Sequence, residues 1–372
     1  MDMHLFRDGL FCKKNKELKS KKRKIKMKDK IRWAVIGSGG IAKRKTIPEG
    51  ILKASNATLV AVYDIDPKVN KEVANDFNAF AADSIEDLLK SDVSAVYIAT
   101  PANLHYKHCL KCCEFGKNVL CEKPLGMTVT EAEKMITAFG KKNLLGTALM
   151  MRFQTQHIEA KKMISEGKLG KQVYARAQLS CWYPPIKGAW RQEPSSGGGG
   201  SLIDMGGHCI DLLELFFGEV IKVSCFVNNS IHTYQSEDSA CAMLFFENGA
   251  MATVDTFFCI PDNSSKNKLE LYGSKGSILC EGTIGQGNSG KMTAFLEDES
   301  KNYDANQNRS INEGLVISPP ARNLYQAEIE EFSQAIIEGR EPSNNSLLGL
   351  RSQKILAACY DSARTGKAIE IN

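Results

Sequence analysis

The sequence predicts an α/β protein in two parts: a doubly wound parallel sheet over residues 31–151, then a second α/β unit over 152–372 carrying a mostly antiparallel, open sheet. Three observations predict it. From Ile31 onward, short apolar runs alternate with helical periodicity, the signature of successive βαβ units. The first run, Trp33-Ala34-Val35-Ile36, enters a Gly-Ser-Gly-Gly turn that opens a helix. Beyond residue 170 the runs lengthen, alternate in polarity and are joined by glycine turns, as hairpins are. A chain of 372 residues also exceeds what one core usually holds.

The elements follow in order. Parallel strands are expected at Trp33 to Ile36, Leu59 to Tyr63, Ala95 to Ala99, Asn118 to Cys121 and Leu144 to Met150. Helical periodicity lies between them, at Ala42 to Ala54, Pro67 to Phe77, Ser84 to Lys90, His105 to Phe115 and Val129 to Gly140. After a helix at His157 to Glu166, longer strands are expected at Gln172 to Cys181, Val220 to Asn228, Ala240 to Phe246, Ala250 to Cys259, Lys268 to Tyr272 and Ser277 to Glu281. The stretch Gly285 to Pro319 is rich in Asn, Ser and Gly and is expected as loop, and two helices, Asn323 to Gly339 and Ser346 to Thr365, close the chain.

Composition narrows the class. With 43% apolar and 24% charged residues, and no run near the roughly 20 apolar residues that span a bilayer, a membrane role is not expected. The net charge of +5 comes from the first 30 residues, which hold 12 Lys/Arg against 4 Asp/Glu. Residues 1–30 therefore read as a basic disordered tail, which translation from Met27 would largely omit, and no nucleic-acid partner is expected for the folded part. The tail lacks an apolar segment with a small-residue cleavage site, and the 12 cysteines sit mostly inside apolar patterns such as Val223-Ser224-Cys225-Phe226-Val227. Both point to a reducing, cytoplasmic location. His105, His108, Cys109, Cys112 and Cys113 have zinc-like spacing, but they share one helix with no second pair at finger distance, so no metal is expected.

The candidate phosphate-binding turn is Gly37, Gly39, Gly40, Ile41 and Ala42. Gly37 makes the tight turn, Gly39 lets backbone N–H groups reach a pyrophosphate, and Ala42 keeps the helix close to the strand. Asp64 ends the second strand, 27 residues after Gly37, where a carboxylate accepts from both ribose hydroxyls and repels a 2′-phosphate. NAD is therefore expected over NADP. The fourth and fifth strands end in Ala99-Thr100-Pro101-Ala102-Asn103-Leu104-His105 and Cys121-Glu122-Lys123-Pro124-Leu125, at the strand ends where open α/β sheets bind ligands. Further on, Asp204-Met205-Gly206-Gly207-His208-Cys209-Ile210-Asp211 places three titratable groups within about 60° on one helix face. Gly206 and Gly207 weaken a helix, and a closely approaching ligand is expected to explain them.

On the Glu-Lys-Pro motif and the Asp-x-x-x-His-x-x-Asp helix, residues 31–372 resemble the glucose-fructose oxidoreductase, inositol dehydrogenase and rhizopine-catabolism (Gfo/Idh/MocA) superfamily. The resemblance implies a Rossmann domain that binds NAD, with Thr100, Asn103, His105 and Glu122 near the cofactor and Lys123 beside the nicotinamide and the reacting carbon. It implies that His208 is the acid/base, with Asp204 and Asp211 orienting it or binding substrate hydroxyls. Trp190-Arg191 with the run Gly197 to Gly200, Asn323-Leu324-Tyr325, Arg152 and His157 resemble the 1,5-anhydrofructose reductase branch. There Trp190 and Arg191 are implied to reach the cofactor or substrate, Tyr325 the cofactor, and Arg152 and His157 the substrate. That branch uses NADP without a ribose-reading carboxylate, so Asp64 departs from it.

The expected activity is NAD(H)-dependent hydride transfer at a secondary alcohol or ketone of a sugar, cyclitol or related polyol, by a homo-oligomer that associates through the open face of its second sheet. An NAD-dependent glycosidase using transient oxidation and a non-catalytic dinucleotide sensor are the alternatives on the same fold.

Overall fold

The computed structural model describes residues 30–297, 305 and 313–371, so the expectations for the basic tail and for Met27 lie outside the described residues. The first sheet contains β1 (Ile31–Ile36), β2 (Ala57–Tyr63), β3 (Phe80–Ala81), β4 (Ala95–Ile98), β5 (Asn118–Glu122) and β6 (Leu145–Ala148). All pair in parallel in the order β3-β2-β1-β4-β5-β6, the doubly wound arrangement. The order reverses at β1 and β4, so the crevice for a ligand opens over the C-terminal ends of these two strands. Two-residue β3 is too short to carry an alternation and was not expected.

The helices of this half are α1 (Ala42–Ile51), α2 (Pro67–Phe77), α3 (Ile85–Lys90), α4 (His105–Glu114) and α5 (Val129–Phe139). Asp66, Ser84 and Thr128 cap α2, α3 and α5 by accepting from first-turn N–H groups. Where an ordinary α-helix was expected, α1 is wide, of π type, with Leu52 N–H donating to the Ile47 carbonyl at 3.0 Å. Pro48 lies inside it and has no N–H to give to a carbonyl four residues back, which disfavours regular α-helical bonding there.

After α6 (Thr155–Ser165), a nine-stranded sheet is built from β7 (Gln172–Ser180), β8 (Val220–Asn228), β9 (Ser239–Phe246), β10 (Met251–Phe257), β11 (Lys268–Gly273), β12 (Gly276–Glu281), β13 (Lys291–Leu296), β14 (Leu315–Val316) and β15 (Ile369–Glu370). Its order is β14-β13-β12-β11-β7-β10-β9-β8-β15, antiparallel throughout except for the β7–β10 pair. Strands β13 and β14 correct the expectation of loop from Gly285 to Pro319: Lys291 to Leu296 pairs with all six residues of β12. One face of this sheet is covered by α8 (Gly207–Phe217) and α10 (Ser346–Thr365), while the one-turn α7 (Pro194–Gly197) packs on the turns at Trp190–Gln192 and Ala102–Leu104. The other face stays open, with Phe226, Met243, Phe245 and Met251 exposed.

The division expected at 151/152 is crossed by α9 (Leu324–Glu338). Its Ile329 and Phe332 belong to the core of the first sheet, with Trp33, Val35, Val62 and Tyr97. The Trp33 indole N–H donates to Ser333 Oγ at 3.0 Å, and Asn323, which caps α9, also donates to Glu49 of α1 at 2.8 Å. Every described cysteine is a free thiol, and no described helix is long and apolar enough to cross a membrane.

Candidate active site

A cavity of about 340 Å³ lies where the C-terminal ends of the parallel strands face the second sheet. On the side of the first sheet, Ile41 and Arg44, just past the β1 turn, line it. Gly37 has φ +81°, and a Cβ there would stand 2.8 Å from the Ala99 carbonyl carbon and the Thr100 nitrogen, so only glycine fits against the end of β4. Gly40 is also left-handed, at φ +49°. The Gly39 N–H donates to Asp64 Oδ2 at 3.0 Å, and Asp64 Oδ1 accepts from the Asp66 N–H at 3.1 Å. Asp64 therefore sits directly beside the glycine turn. Ala42 is fully buried under this turn, and Ile41 lines the cavity.

Strand β5 delivers Glu122 and Lys123, and a wide turn at Leu202–Gly206 leading into α8 delivers Asp204 and His208; all four line the cavity. Lys123 Nζ lies 2.8 Å from Asp204 Oδ1 and also donates to the Asp204 carbonyl. The same Oδ1 accepts from Arg191 Nε at 3.0 Å, and the Arg191 guanidinium lies over the Trp190 ring at 4.2 Å. Burial by itself raises the Asp204 pKa, but Arg191 and Lys123 outweigh it and hold the carboxyl far below the usual carboxylate range. Its two bonds go to cations. The expectation that Asp204 orients His208 is therefore corrected: the carboxylate orients Lys123 and Arg191.

The His208 imidazole makes no hydrogen bond to another described residue. Burial, then the Lys123 cation, against the opposing pull of Asp204, push its pKa down to about 3, so the imidazole is neutral near pH 7 and keeps a free nitrogen lone pair. Across the cavity Tyr97 donates to Glu122 Oε1 and accepts from Thr46 Oγ1. Glu328, buried and facing the same space, has its pKa raised by burial and by the charge of Glu122. The Tyr325 hydroxyl beside them is buried and has no hydrogen-bond partner among the described residues.

The remaining expected residues fall into two groups. Thr100, bonded to His108 at 3.2 Å, and exposed Asn103 flank the glycine turn. Four others do not face the cavity. His105 is buried, with its ring nitrogens at 2.7 Å from the Pro124 carbonyl and 2.9 Å from that of Thr100, tying two strand-end loops together. His157 is fully buried between the Met151 carbonyl and the Thr283 hydroxyl, at 2.8 and 3.1 Å. Arg152 and Asp211 form a buried ion pair, with Arg152 Nε at 2.8 Å from both carboxylate oxygens. The cofactor contact expected of His105 and the substrate contacts expected of His157, Arg152 and Asp211 are corrected accordingly: each group is spent on packing the site's frame.

Two sequence profiles match this architecture. The "Oxidoreductase family, NAD-binding Rossmann fold" profile covers residues 31–148, and the "GFO/IDH/MocA C-terminal domain" profile covers 157–279. The chain belongs to the Gfo/Idh/MocA oxidoreductase family. It is an oxidoreductase with an NAD-binding Rossmann domain. Among its relatives in this family, 1,5-anhydro-D-fructose reductase of Ensifer adhaerens is 28% identical over 346 residues, covering 91% of this chain and 98% of that protein. D-glucoside 3-dehydrogenase of Escherichia coli K12 is 27% identical over 367 residues, covering 92% and 97%. The crystal structure of aldose-aldose oxidoreductase from Caulobacter crescentus with glycerol superposes with a TM-score of 0.79 at 24% identity, covering 92% of this chain and all of that one, which shows a shared fold.

Within this Gfo/Idh/MocA site the glycines serve packing more than ligand approach, contrary to expectation. A Cβ on Gly206 would meet the Leu202 side chain at 2.9 Å, and one on Gly207 would touch Leu356 at 3.5 Å. One on Gly199 would fall 2.0 Å from the Tyr360 hydroxyl, and one on Gly200 1.9 Å from the Glu237 carbonyl. Sequence reasoning missed Arg44, Tyr97, Cys181, Asp262, Asn267, Gln286 and Glu328, all of which line the cavity. Tyr97 was hidden inside an apolar run and Glu328 inside a helical one; nothing local marked them.

Proposed function

We propose that this oxidoreductase transfers a hydride between NAD(H) and a secondary alcohol or ketone of a sugar, cyclitol or related polyol. The observation that carries the proposal is a neutral, unbonded imidazole at His208 facing the same cavity as the Lys123 ammonium, at the strand ends where this sheet takes its ligands. The activities for which the relatives are named, reduction of a D-fructose derivative and dehydrogenation of a D-glucoside, support the substrate class.

The turn fits a dinucleotide, because the space a Cβ would fill at Gly37 is left to backbone and the Asp64 carboxylate stands beside the Gly39 N–H. Gly37, Gly39, Gly40, Ile41 and Ala42 would hold the pyrophosphate, Asp64 would read the ribose, and Thr100, Asn103, Glu122, Trp190, Arg191 and Tyr325 would contact the rest of the cofactor. Bound NAD supplies the hydride acceptor. His208 takes the proton from the substrate hydroxyl through its free ring nitrogen. Lys123 donates a hydrogen bond to the same oxygen and stabilises the charge that develops there, while Asp204 holds the ammonium in place. In reduction, His208 returns the proton and Lys123 polarises the carbonyl. The open face bearing Phe226 and Met243 is proposed as the surface of self-association.

Lys123→Met and His208→Ala are expected to lower kcat on a polyol panel by about 10²- to 10⁴-fold with NAD affinity retained, measured by nicotinamide absorbance and fluorescence titration. Retained turnover in both variants overturns the proposal. Turnover of glycosides to free sugar without added cofactor supports the glycosidase alternative instead.

A further inference from the structure

One wall of the cavity takes no part in the proton and hydride steps. It is built by the segments that follow β10 and β12 and carries Asp262 and Asn267. Cys181 lines the cavity between this wall and the reacting cluster: after burial, the carboxylates of Asp204 and Asp262 both act on its thiol, which is pushed up to about 12.

The two side chains are fixed by a single strand end. The Trp182 N–H donates to Asp262 Oδ1 at 2.9 Å, and the Ser180 N–H donates to Asn267 Oδ1 at 3.0 Å. The N–H groups of Cys181 and Tyr183 point the other way, to the carbonyls of Phe257 and Phe258. Residues 180 and 182 therefore present their N–H groups on one edge of an extended segment, about 6.6 Å apart, and hold the carboxylate and the amide side by side.

The chemistry each presents follows from what is already bonded. Asn267 Oδ1 also accepts from Ser265 Oγ at 3.1 Å, so the amide oxygen is occupied and the NH₂ is left without a partner among the described residues. Asn267 holds a left-handed backbone, φ +44°, and the other described non-glycine residue with positive φ is Asn78, the C-cap of α2. Asp262 uses Oδ1 on the main chain and keeps Oδ2 to accept. The wall thus offers one fixed donor beside one fixed acceptor.

We infer that Asp262 and Asn267 read two neighbouring hydroxyls of the substrate ring, on the side remote from the carbon held by Lys123 and His208. One hydroxyl donates to the Asp262 carboxylate and its neighbour accepts from the Asn267 amide. The preferred substrate is then a pyranose or cyclitol with that hydroxyl pair unsubstituted, and a lone secondary alcohol is a poor one. The inference rests on the hydride-transfer function proposed above.

Isosteric exchanges test it, because Asp262→Asn and Asn267→Asp keep both Oδ1 anchors and invert only the group offered to the ligand. The full chain with NAD is assayed on myo-inositol, D-glucose, 1,5-anhydro-D-glucitol and methyl D-glucoside, then on the monodeoxy derivatives of the best of these. Each exchange is expected to lower kcat/KM by about 10- to 100-fold, mainly through KM. One monodeoxy derivative should cost the wild type a similar factor and cost the matching variant nothing further. NADH affinity by fluorescence titration should stay unchanged, which reports that the variants fold; Asn267→Gly, suited to the same backbone, replaces Asn267→Asp if that exchange does not fold. Unchanged kcat/KM with intact NADH binding, or deoxy penalties that persist in full in the variants, overturns the pair alone. A wild type that oxidises none of the panel overturns the hydride-transfer function and the pair with it.

Discussion

At the scale of single residues, the site is governed by how each charge is balanced. Asp204 pairs with two cations at once, and that leaves Lys123 held beside an imidazole that stays neutral. A lysine and a protonated histidine in one desolvated pocket would repel; a neutral histidine can work as a base there. Asp211 and Arg152 solve a different problem, since each would be costly to bury alone and together they lock α8 to the turn after β6. Asp64 is proposed to set the choice of dinucleotide. Replacing it by serine removes the negative charge beside Gly39, and the ratio of NADP to NAD affinities is expected to rise at least about tenfold, measured by titration of both reduced cofactors. An unchanged ratio would remove Asp64 from cofactor discrimination.

At the scale of elements, backbone conformation decides what is possible. Gly37→Ala puts a methyl 2.8 Å from the end of β4 at a φ of +81°. It is expected to weaken NADH binding by about tenfold or more, and to lower the melting temperature, since neither the turn nor β4 has room to yield. Circular dichroism and fluorescence titration check the two effects. Most elements were legible from the sequence because a buried face repeats with a fixed period: the bounds of α2, α10 and β8 agree with expectation residue for residue. Strands β13 and β14 were not legible, because their neighbours are turn-forming residues and β14 is two residues long. The motif residues Lys123, Asp204, Arg191 and His208 were legible as a group through the family resemblance, with strand-end position and one helix face supporting Lys123, Asp204 and His208 alone. His105 and His157 were not, because spacing along a chain does not say whether a ring nitrogen meets a ligand or a carbonyl.

At the scale of the whole molecule, burial of neutral histidines links stability to pH. Burial leads the causes that push His108 and His157 down to about 4 and His208 to about 3, from an ordinary value of 6.5. In that window the unfolded chain binds protons that the folded chain refuses, so folding stability falls as pH drops from 6.5 toward 4 and is regained as pH rises. The buried carboxyls of Glu237 and Glu328, with raised pKa values, act in the opposite sense, since they keep their protons longer in the folded state. The contribution of one histidine is isolated by His157→Gln: below pH 6.5 the wild type is expected to lose up to about 1.4 kcal/mol per pH unit more than the variant, read from denaturant melts at several pH values. Parallel curves would show that His157 does not titrate between the two states.

The return of α9 to the first sheet has a consequence in time as well as in space. Trp33 is synthesised 300 residues ahead of Ser333, the partner of its indole. Every parallel strand has left the ribosome while one side of their sheet still waits for Ile329 and Phe332. The nascent chain therefore carries its glycine turn long before Ile329 and Phe332 complete the core that this sheet packs on.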